Sequence, residues 1–219
     1  MIFMIDSRIG AVINFVKKNS RVADIGADHG YLAIELIKRG RASFVVAGDK
    51  NPAPLAAAQK NISAADLEKI ISVRLGDGLQ VLRDGEVDTI CIAGMGGALI
   101  AEILAAAPKI LAGAENLILQ PMNALDKVYA WLEDNGWLIA NVDLAEAGGI
   151  IYEIICATKN PAEICRPTLK ELSPLLPKLS AQKLQKLQRV ADEMAKSPAA
   201  RLSEKFAQIQ AEINSLKQK

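Results

Sequence analysis

The stretch ADIGADHGYL (residues 23–32) decides how the rest of the chain is read. It follows a strand-like run, RVADIG (21–26), and opens a helical pattern, YLAIELIKRG (31–40), that closes at Gly40. A glycine-bearing turn between a strand and a helix points backbone N–H groups at a bound polar group, and glycine lets that group come close. The dinucleotide pattern G-x-G-x-x-G would place glycines at 26, 28 and 31, but the chain has Gly26, Asp28 and Tyr31 there. A carboxylate at 28 would also repel a pyrophosphate. The loop therefore suits a ligand that accepts negative charge nearby, and the only histidine, His29, stands beside it.

Working outward, short β-branched runs at 43–49, 71–77, 88–94 and 116–121 alternate with helical patterns at 54–65, 98–111 and 124–136. Two final strands, 137–146 and 150–159, flank Gly148-Gly149. Strands alternating with helices imply an α/β fold, Rossmann-like, with a mostly parallel sheet, right-handed crossovers and an antiparallel edge strand. After Asn160 the composition changes. Pro161, Pro167, Pro174 and Pro177 punctuate a connector, and two helices, 180–194 and 199–216, follow around Ser197-Pro198. Leu184, Leu187, Ala191 and Met194 on one, and Leu202, Phe206, Ile209, Ile213 and Leu216 on the other, keep a four-three rhythm. That rhythm predicts the seam of an antiparallel helical hairpin of coiled-coil type. The reading divides the chain into a body, 1–159, and a helical extension, 160–219.

The loop at 23–32 resembles the D/E-x-G-x-G-x-G loop of class I methyltransferases, with Asp24, Gly26 and Gly30 in register. Their cofactor, S-adenosyl-L-methionine, carries an ammonium and a sulfonium and no phosphate, so acidic neighbours suit it. Asp49, ending the second strand, is placed for the ribose hydroxyls. Asp77, in GDG (76–78), is placed for the adenine amino group, with Gly78 beside it. Asp28 itself and Ala93 and Gly94, at the end of the fourth strand, complete the cofactor candidates.

DIGADHGYL, GDGL (76–79), IAGMGGALI (92–100) and LILQP (117–121) together resemble the bacterial tRNA (adenine(22)-N(1))-methyltransferase family, over about Ser7 to Lys159. The resemblance implies a class I methyltransferase body with a C-terminal coiled-coil extension, S-adenosyl-L-methionine as donor, and N1 of an adenine in the tRNA D-arm as acceptor. On that reading Asp28 stabilises the positive charge that develops on the methylated ring, or caps the following helix instead. His29 and Tyr31 are further catalytic candidates beside it. Met95, Gly96 and Gly97 form the acceptor loop, which lacks the D/N-P-P-Y/F motif that grips an exocyclic amine; Gln120 and Asn123 have amides that can read a base edge.

The charges divide unevenly. Residues 1–158 hold 14 Lys+Arg against 19 Asp+Glu, net −5, and residues 159–219 hold 12 against 6, net +6. An acidic body with a basic tail points to a polyanionic partner. Lys183, Lys186 and Arg189 lead the phosphate candidates, followed by Arg201 in the tail and Lys17, Lys18, Arg21, Lys38, Arg39 and Arg41 on the body. Three cysteines without a CxxC pair argue against a disulfide framework or a metal site and for the cytoplasm. Asp6 and Arg8 interrupt the apolar start too early for a signal peptide, and no apolar run approaches the ~18 residues of a membrane span. The oligomeric state is open, and a monomer is compatible with the sequence. Two other functions stay in view: a methyltransferase acting on another RNA or a small molecule, and a non-catalytic RNA-binding module.

Overall fold

The structure is a computed structural model and describes residues 6–217. The chain opens with α1 (Ser7–Phe15), whose N-cap Asp6 accepts a hydrogen bond from the Arg8 amide. Then come β1 (Ser20–Ile25), α2 (Tyr31–Lys38), β2 (Ala42–Asp49), α3 (Pro52–Ser63), β3 (Ile71–Leu75), β4 (Thr89–Met95) and α4 (Gly97–Ala105). The body closes with α5 (Pro108–Gly113), β5 (Asn116–Pro121), α6 (Leu125–Asp134), β6 (Leu138–Ala147) and β7 (Ile150–Thr158). Seven strands form one sheet in the order β3-β2-β1-β4-β5-β7-β6. The first five are parallel, and β7 runs antiparallel between β5 and β6. Gly148 and Gly149, both at positive φ, make the tight turn that reverses β6 into β7.

Alternating residues of the sheet feed two cores. Val22, Val45 and Cys91 pack with α1, α2 and α3 residues such as Ile13, Leu36 and Ile62 on one face. Ala23, Ile90 and Leu119 pack with Ile100, Leu104 and Leu132 of α4 and α6 on the other. With both faces covered, β5 is buried along its whole length, as a central strand between two helical layers must be. The chain leaves β1 toward β2 and β4 toward β5, in opposite directions across the sheet. The carboxyl ends of β1 and β4 therefore flank a topological switch point, the place where open α/β sheets bind ligands.

Local chemistry moves several boundaries away from the sequence reading. The helix expected at 98–111 is two helices, because Pro108 lacks an N–H and forces Ala107 out of helical geometry. The third strand stops at Leu75, where the Gly76 amide turns to the Asp49 carbonyl and a single 3-10 turn, Gly78–Val81, begins. The sequence reading divides the chain after Lys159, whereas the compact units part after Glu171. The intervening residues are tied to the body by Lys17–Glu163 (2.7 Å), the Cys165 amide on Ala140 O (2.8 Å), the Leu169 amide on Asn141 Oδ1 (2.9 Å) and Lys170–Glu153 (2.8 Å).

After α7 (Leu169–Leu172), the second unit holds α8 (Leu176–Ala195), a one-turn α9 (Pro198–Arg201) and α10 (Glu204–Lys217). Ala191, Ile209 and Ile213 are its buried core, with Leu184, Leu187, Met194 and Phe206 packed against them. Leu202 does not join this seam; it is 89% exposed. The helix expected over 199–216 breaks there because the Ser203 hydroxyl caps α10 by accepting from the Phe206 amide (3.2 Å).

Candidate active site

Two adjoining cavities open at the carboxyl edge of the parallel strands. The first, about 290 Å³, is bounded by Asp49, Asn51, Asp77, Gly78, Met95 and Leu99. The second, about 380 Å³, is bounded by Arg8, Asp24, His29, Tyr31, Leu32 and Gln120. Gly26, Asp28, Ala93 and Gly94 belong to both walls, so the loop after β1 and the end of β4 form the ridge between them.

Backbone bonds set this ridge. The amides of Gly26 and Ala27 both donate to the Gly48 carbonyl, at 2.8 and 3.0 Å, which folds the loop back over β2. Gly26 sits at φ +76°, which favours glycine, and a Cβ there would lie 2.2 Å from Met95 Cε and push that side chain aside. Asp49 is buried. Its Oδ1 accepts from the Asn51 amide (2.8 Å) and its Oδ2 from the Asp28 amide (3.3 Å). Each oxygen keeps a second lone pair, so the carboxylate is oriented yet still able to accept two hydroxyls. Asp77 is exposed on the first cavity's wall and makes no cap bond to the turn it precedes.

Asp24 lies inside β1, between Ala47 and Cys91. It is buried, and its Oδ2 has no hydrogen-bond partner although the residue lines the second cavity. Burial pushes its carboxyl up to about 7, the Ala33 amide opposes that shift, and the charge of Asp49 adds to it. A buried carboxyl oxygen left without a partner at a cavity wall costs folding free energy, and a ligand with a positive donor group would offset that cost.

Asp28 stands at φ +47° with its side chain 64% exposed. It does not cap α2: the N-cap is Gly30, at φ +74°, and the first-turn amide of Ala33 bonds Asp24 instead. Asp28 Oδ1 lies 3.7 Å from His29 Nε2, and the His29 ring stacks on Tyr31 with centroids 5.5 Å apart. The Asn61 amide holds the His29 carbonyl at 2.9 Å. The three side chains thus gather on the rim of the second cavity, with a carboxylate at one end and two flat rings beside it.

The acceptor loop separates into two parts. Gly94, at φ +78°, shifts the register between β4 and β5, and its amide bonds Gln120 Oε1 (3.1 Å) instead of a strand carbonyl. Gln120 is buried and also donates to Pro121 O (3.0 Å), so its amide holds the loop and the backbone beside the cavity. Met95 lines the first cavity, whereas Gly96, Gly97 and Asn123 line neither. Gly97 is buried where a Cβ would meet Ala124 O at 2.3 Å; it lets α4 and the α6 entry touch.

Among the basic candidates, Lys183, Lys186 and Arg189 are exposed on α8, with Lys183 paired to Glu212 at 2.6 Å. On the body, Lys17, Arg21 and Arg39 are engaged by Glu163, Asp88 and Glu35, and Arg41 by the Val16 carbonyl. Asp6 and Arg8 were missed as site residues. Both line the second cavity, yet the sequence offers only two charges in an apolar start, far from the loop motif. Among the described residues, no group of three His, Cys, Asp or Glu side chains could hold a metal ion, and no helix is long and apolar enough to cross a membrane.

A seven-stranded sheet with one antiparallel strand beside its edge, an acidic glycine loop after β1 and carboxylates at successive strand ends define the class I methyltransferase fold. The model of the methyltransferase domain family matches residues 5–155. The chain belongs to that domain family and, within it, to the bacterial tRNA (adenine(22)-N(1))-methyltransferase family. The Bacillus subtilis tRNA (adenine(22)-N(1))-methyltransferase is 38% identical over 153 residues, which is 70% of this chain and 64% of that protein. The matched stretch thus spans just under two thirds of that relative's length. The crystal structure of the B. subtilis enzyme superposes with a TM-score of 0.84 at 29% identity, covering 99% of each chain. A Streptococcus pneumoniae homologue, solved in complex with S-adenosyl-L-methionine, gives 0.80 at 34% identity, covering 98% of this chain and 99% of that one.

Proposed function

We propose that the protein transfers a methyl group from S-adenosyl-L-methionine to N1 of an adenine in tRNA, at position 22 as in the relatives. The observation that carries this reading is the pair of cavities joined at Gly26, Asp28, Ala93 and Gly94. Asp49 and Asp77 in the first suit a ribose and an adenine amino group. The unpartnered Oδ2 of Asp24 in the second suits an ammonium, and the acidic lining as a whole fits a cationic cofactor. S-adenosyl-L-methionine, when bound, supplies a methyl group on a positively charged sulfur.

The chain's own residues do the rest. Adenine N1 carries a free lone pair at neutral pH, so the protein needs to position the base more than to deprotonate it. Asp28, on the ridge, accepts a hydrogen bond from the exocyclic amine or offsets the charge that grows on the ring. His29 and Tyr31 present a stacked face against which a flat base can lie. Gln120 fixes Gly94 beside the base, and Met95 closes the donor side. Gly96, Gly97 and Asn123 act through the packing of the loop. The second unit, net +5 over residues 172–219, supplies phosphate contacts. A cytoplasmic location accords with three free cysteines, two of them buried. Incubating purified protein with unmodified tRNA and labelled donor, then mapping the modified base, tests the reading. Methylation elsewhere than N1 of adenine would overturn it.

Two consequences concern the donor. Asp49→Ala loses an oriented bidentate contact, so donor affinity falls by about 1–3 kcal/mol in calorimetry. NAD, whose pyrophosphate meets Asp28, shows no saturable binding to either protein. The second consequence is a pH dependence. Asp24 has its pKa raised to about 7, so at pH 6 most molecules hold it protonated, in a neutral form that offers an ammonium a hydrogen-bond acceptor but no opposite charge. Donor affinity therefore declines as pH falls below 7, by up to about tenfold per pH unit, and levels off above it. The same shift acts on stability. The folded state holds the proton more tightly than the unfolded chain, so unfolding free energy falls as pH rises from about 4 to about 7 and is flat above. In Asp24→Asn both dependences between pH 5 and 8 flatten, which calorimetry and thermal melts across that range measure.

A further inference from the structure

N1 is the acceptor on the pairing edge of adenine, so an adenine that turns N1 toward a methyl donor pairs with nothing. A base in a structured RNA arm must leave its stack to do this, and leaving it costs stacking and pairing free energy. A protein offsets that cost by placing an apolar side chain in the gap left behind, methionine among those that serve. An apolar side chain held out in solvent at the mouth of the acceptor cavity therefore has a use.

Besides Tyr31, the large apolar side chains Leu75, Leu99, Met122 and Ile150 stand exposed at the carboxyl edge of the sheet. Leu75 ends the outermost strand β3, and Ile150 follows the turn between β6 and β7 on the opposite flank. Leu99 lines the first cavity with Asp49 and Asp77. Met122, 40% exposed, lines neither cavity but stands over the wall of the second. Its Sδ accepts from Arg8 Nη1 at 3.1 Å and from Gln120 Nε2 at 3.7 Å, and both of those residues bound that cavity.

The loop that carries Met122 is held under strain. Ala124 sits at φ +45°, a left-handed conformation that costs an alanine free energy. The Met122 amide bonds Met95 O at 2.8 Å and the Gly97 amide bonds Asn123 O at 3.0 Å, which pins the loop to the end of β4 and the start of α4. Strain of this kind persists where neighbouring contacts over-determine it, and it gathers at functional sites. Here it keeps an apolar side chain in solvent at the cavity's rim, two residues from the Gln120 that fixes Gly94.

We infer that Met122 is a wedge that fills the RNA stack when the acceptor adenine enters the second cavity; the inference rests on the adenine-N1 reading above. Met122 then touches the RNA beside the reacting base and not the reacting atoms. It governs how readily the base leaves its helix, so its importance depends on whether the target adenine is paired.

The test is single-turnover methylation by the full chain, with saturating donor, of two synthetic tRNAs. They differ only opposite the target adenine, where one has uridine and the other an abasic residue. Met122→Ala is expected to slow the paired substrate by about 10- to 100-fold and the abasic one by no more than about threefold, because there the opening is already made. Met122→Leu, apolar and of similar size, is expected to restore most of the rate on the paired substrate. A 2-aminopurine at the target position is expected to brighten on binding wild type and much less on binding Met122→Ala at saturation. Each variant is read by the ratio of its two rates, so a general loss of folded protein cancels. If Met122→Ala does not fold, Met122→Gln, of similar length but polar, is read in the same way. An equal loss on both tRNAs would make Met122 a general contact or a packing residue and overturn the inference, as would no loss on either. If the wild type methylates neither tRNA at N1 of adenine, the acceptor reading itself fails, an outcome distinct from the other two.

Discussion

Asp28→Asn lowers the single-turnover methylation rate by about 100-fold or more, in the range of losing one electrostatic contact at the transition state. The substitution is chosen on structural grounds. Asp28 sits at φ +47°, a left-handed conformation that asparagine adopts more readily than alanine, so the substitution adds little backbone strain to the comparison. The Asp28 amide, and not its carboxylate, holds Asp49, and that bond survives the change. Donor affinity therefore moves only a few-fold. Stability moves little, because the N-cap of α2 is Gly30 and Asp28 makes no cap bond. Rapid-quench kinetics with saturating donor measure the rate, and calorimetry the affinity. A rate within a few-fold of wild type would remove Asp28 from the chemistry. The base would then be held by His29, Tyr31 and the loop alone.

A chain ending at Glu171 folds, binds donor at wild-type affinity and loses tRNA affinity by on the order of 100-fold at moderate salt. The end point follows from the structure: β7 completes the sheet, and the contacts of Glu163, Cys165, Leu169 and Lys170 anchor residues 160–171 to the body. Removing residues 172–219 takes away a net charge of +5. Fewer displaced counterions flatten the dependence of log K on log salt, by about 0.7 to 0.9 for each phosphate that the shortened chain no longer neutralises. Charge reversal at Lys186 and Arg189 in the full chain has the same sign and a smaller size. Lys183 is left out of that variant because reversing it would set two carboxylates together at Glu212 and loosen the hairpin. Binding measured at several salt concentrations for the three proteins checks this. Equal affinities and slopes would move the RNA contacts onto the body.

By itself the sequence determined the parts whose cause is local. Alternation of β-branched runs with helical spacing reports directly which segments can cover a sheet, and so the α/β class and each strand of the sheet were legible. The loop at 23–32 was legible because a strand, two glycines and a helix start fall within a few residues, Asp49 because it ends its strand, and Asp77 because it stands two residues past the end of one. The apolar spacing of 98–111 runs straight through Pro108, so periodicity alone hides the break that this proline makes. Leu202 fitted the hairpin rhythm and is exposed, because the capping hydroxyl of Ser203 outweighs one more apolar contact.

What only the tertiary structure decided depends on groups far apart in the chain. Whether Asp28 caps a helix is a matter of where α2 begins, and the left-handed turn at Gly30 settles it. Gln120 looked free to read a base, but the register shift at Gly94 takes up its amide oxygen. The unpartnered oxygen of Asp24 exists because two flanking strands bury the residue while a cavity reaches it. Arg8 reaches the cavity only through the packing of α1 beside the sheet. Periodicity along a chain carries information about neighbours a few residues away, whereas a site is made by long-range contacts whose partners no local pattern specifies.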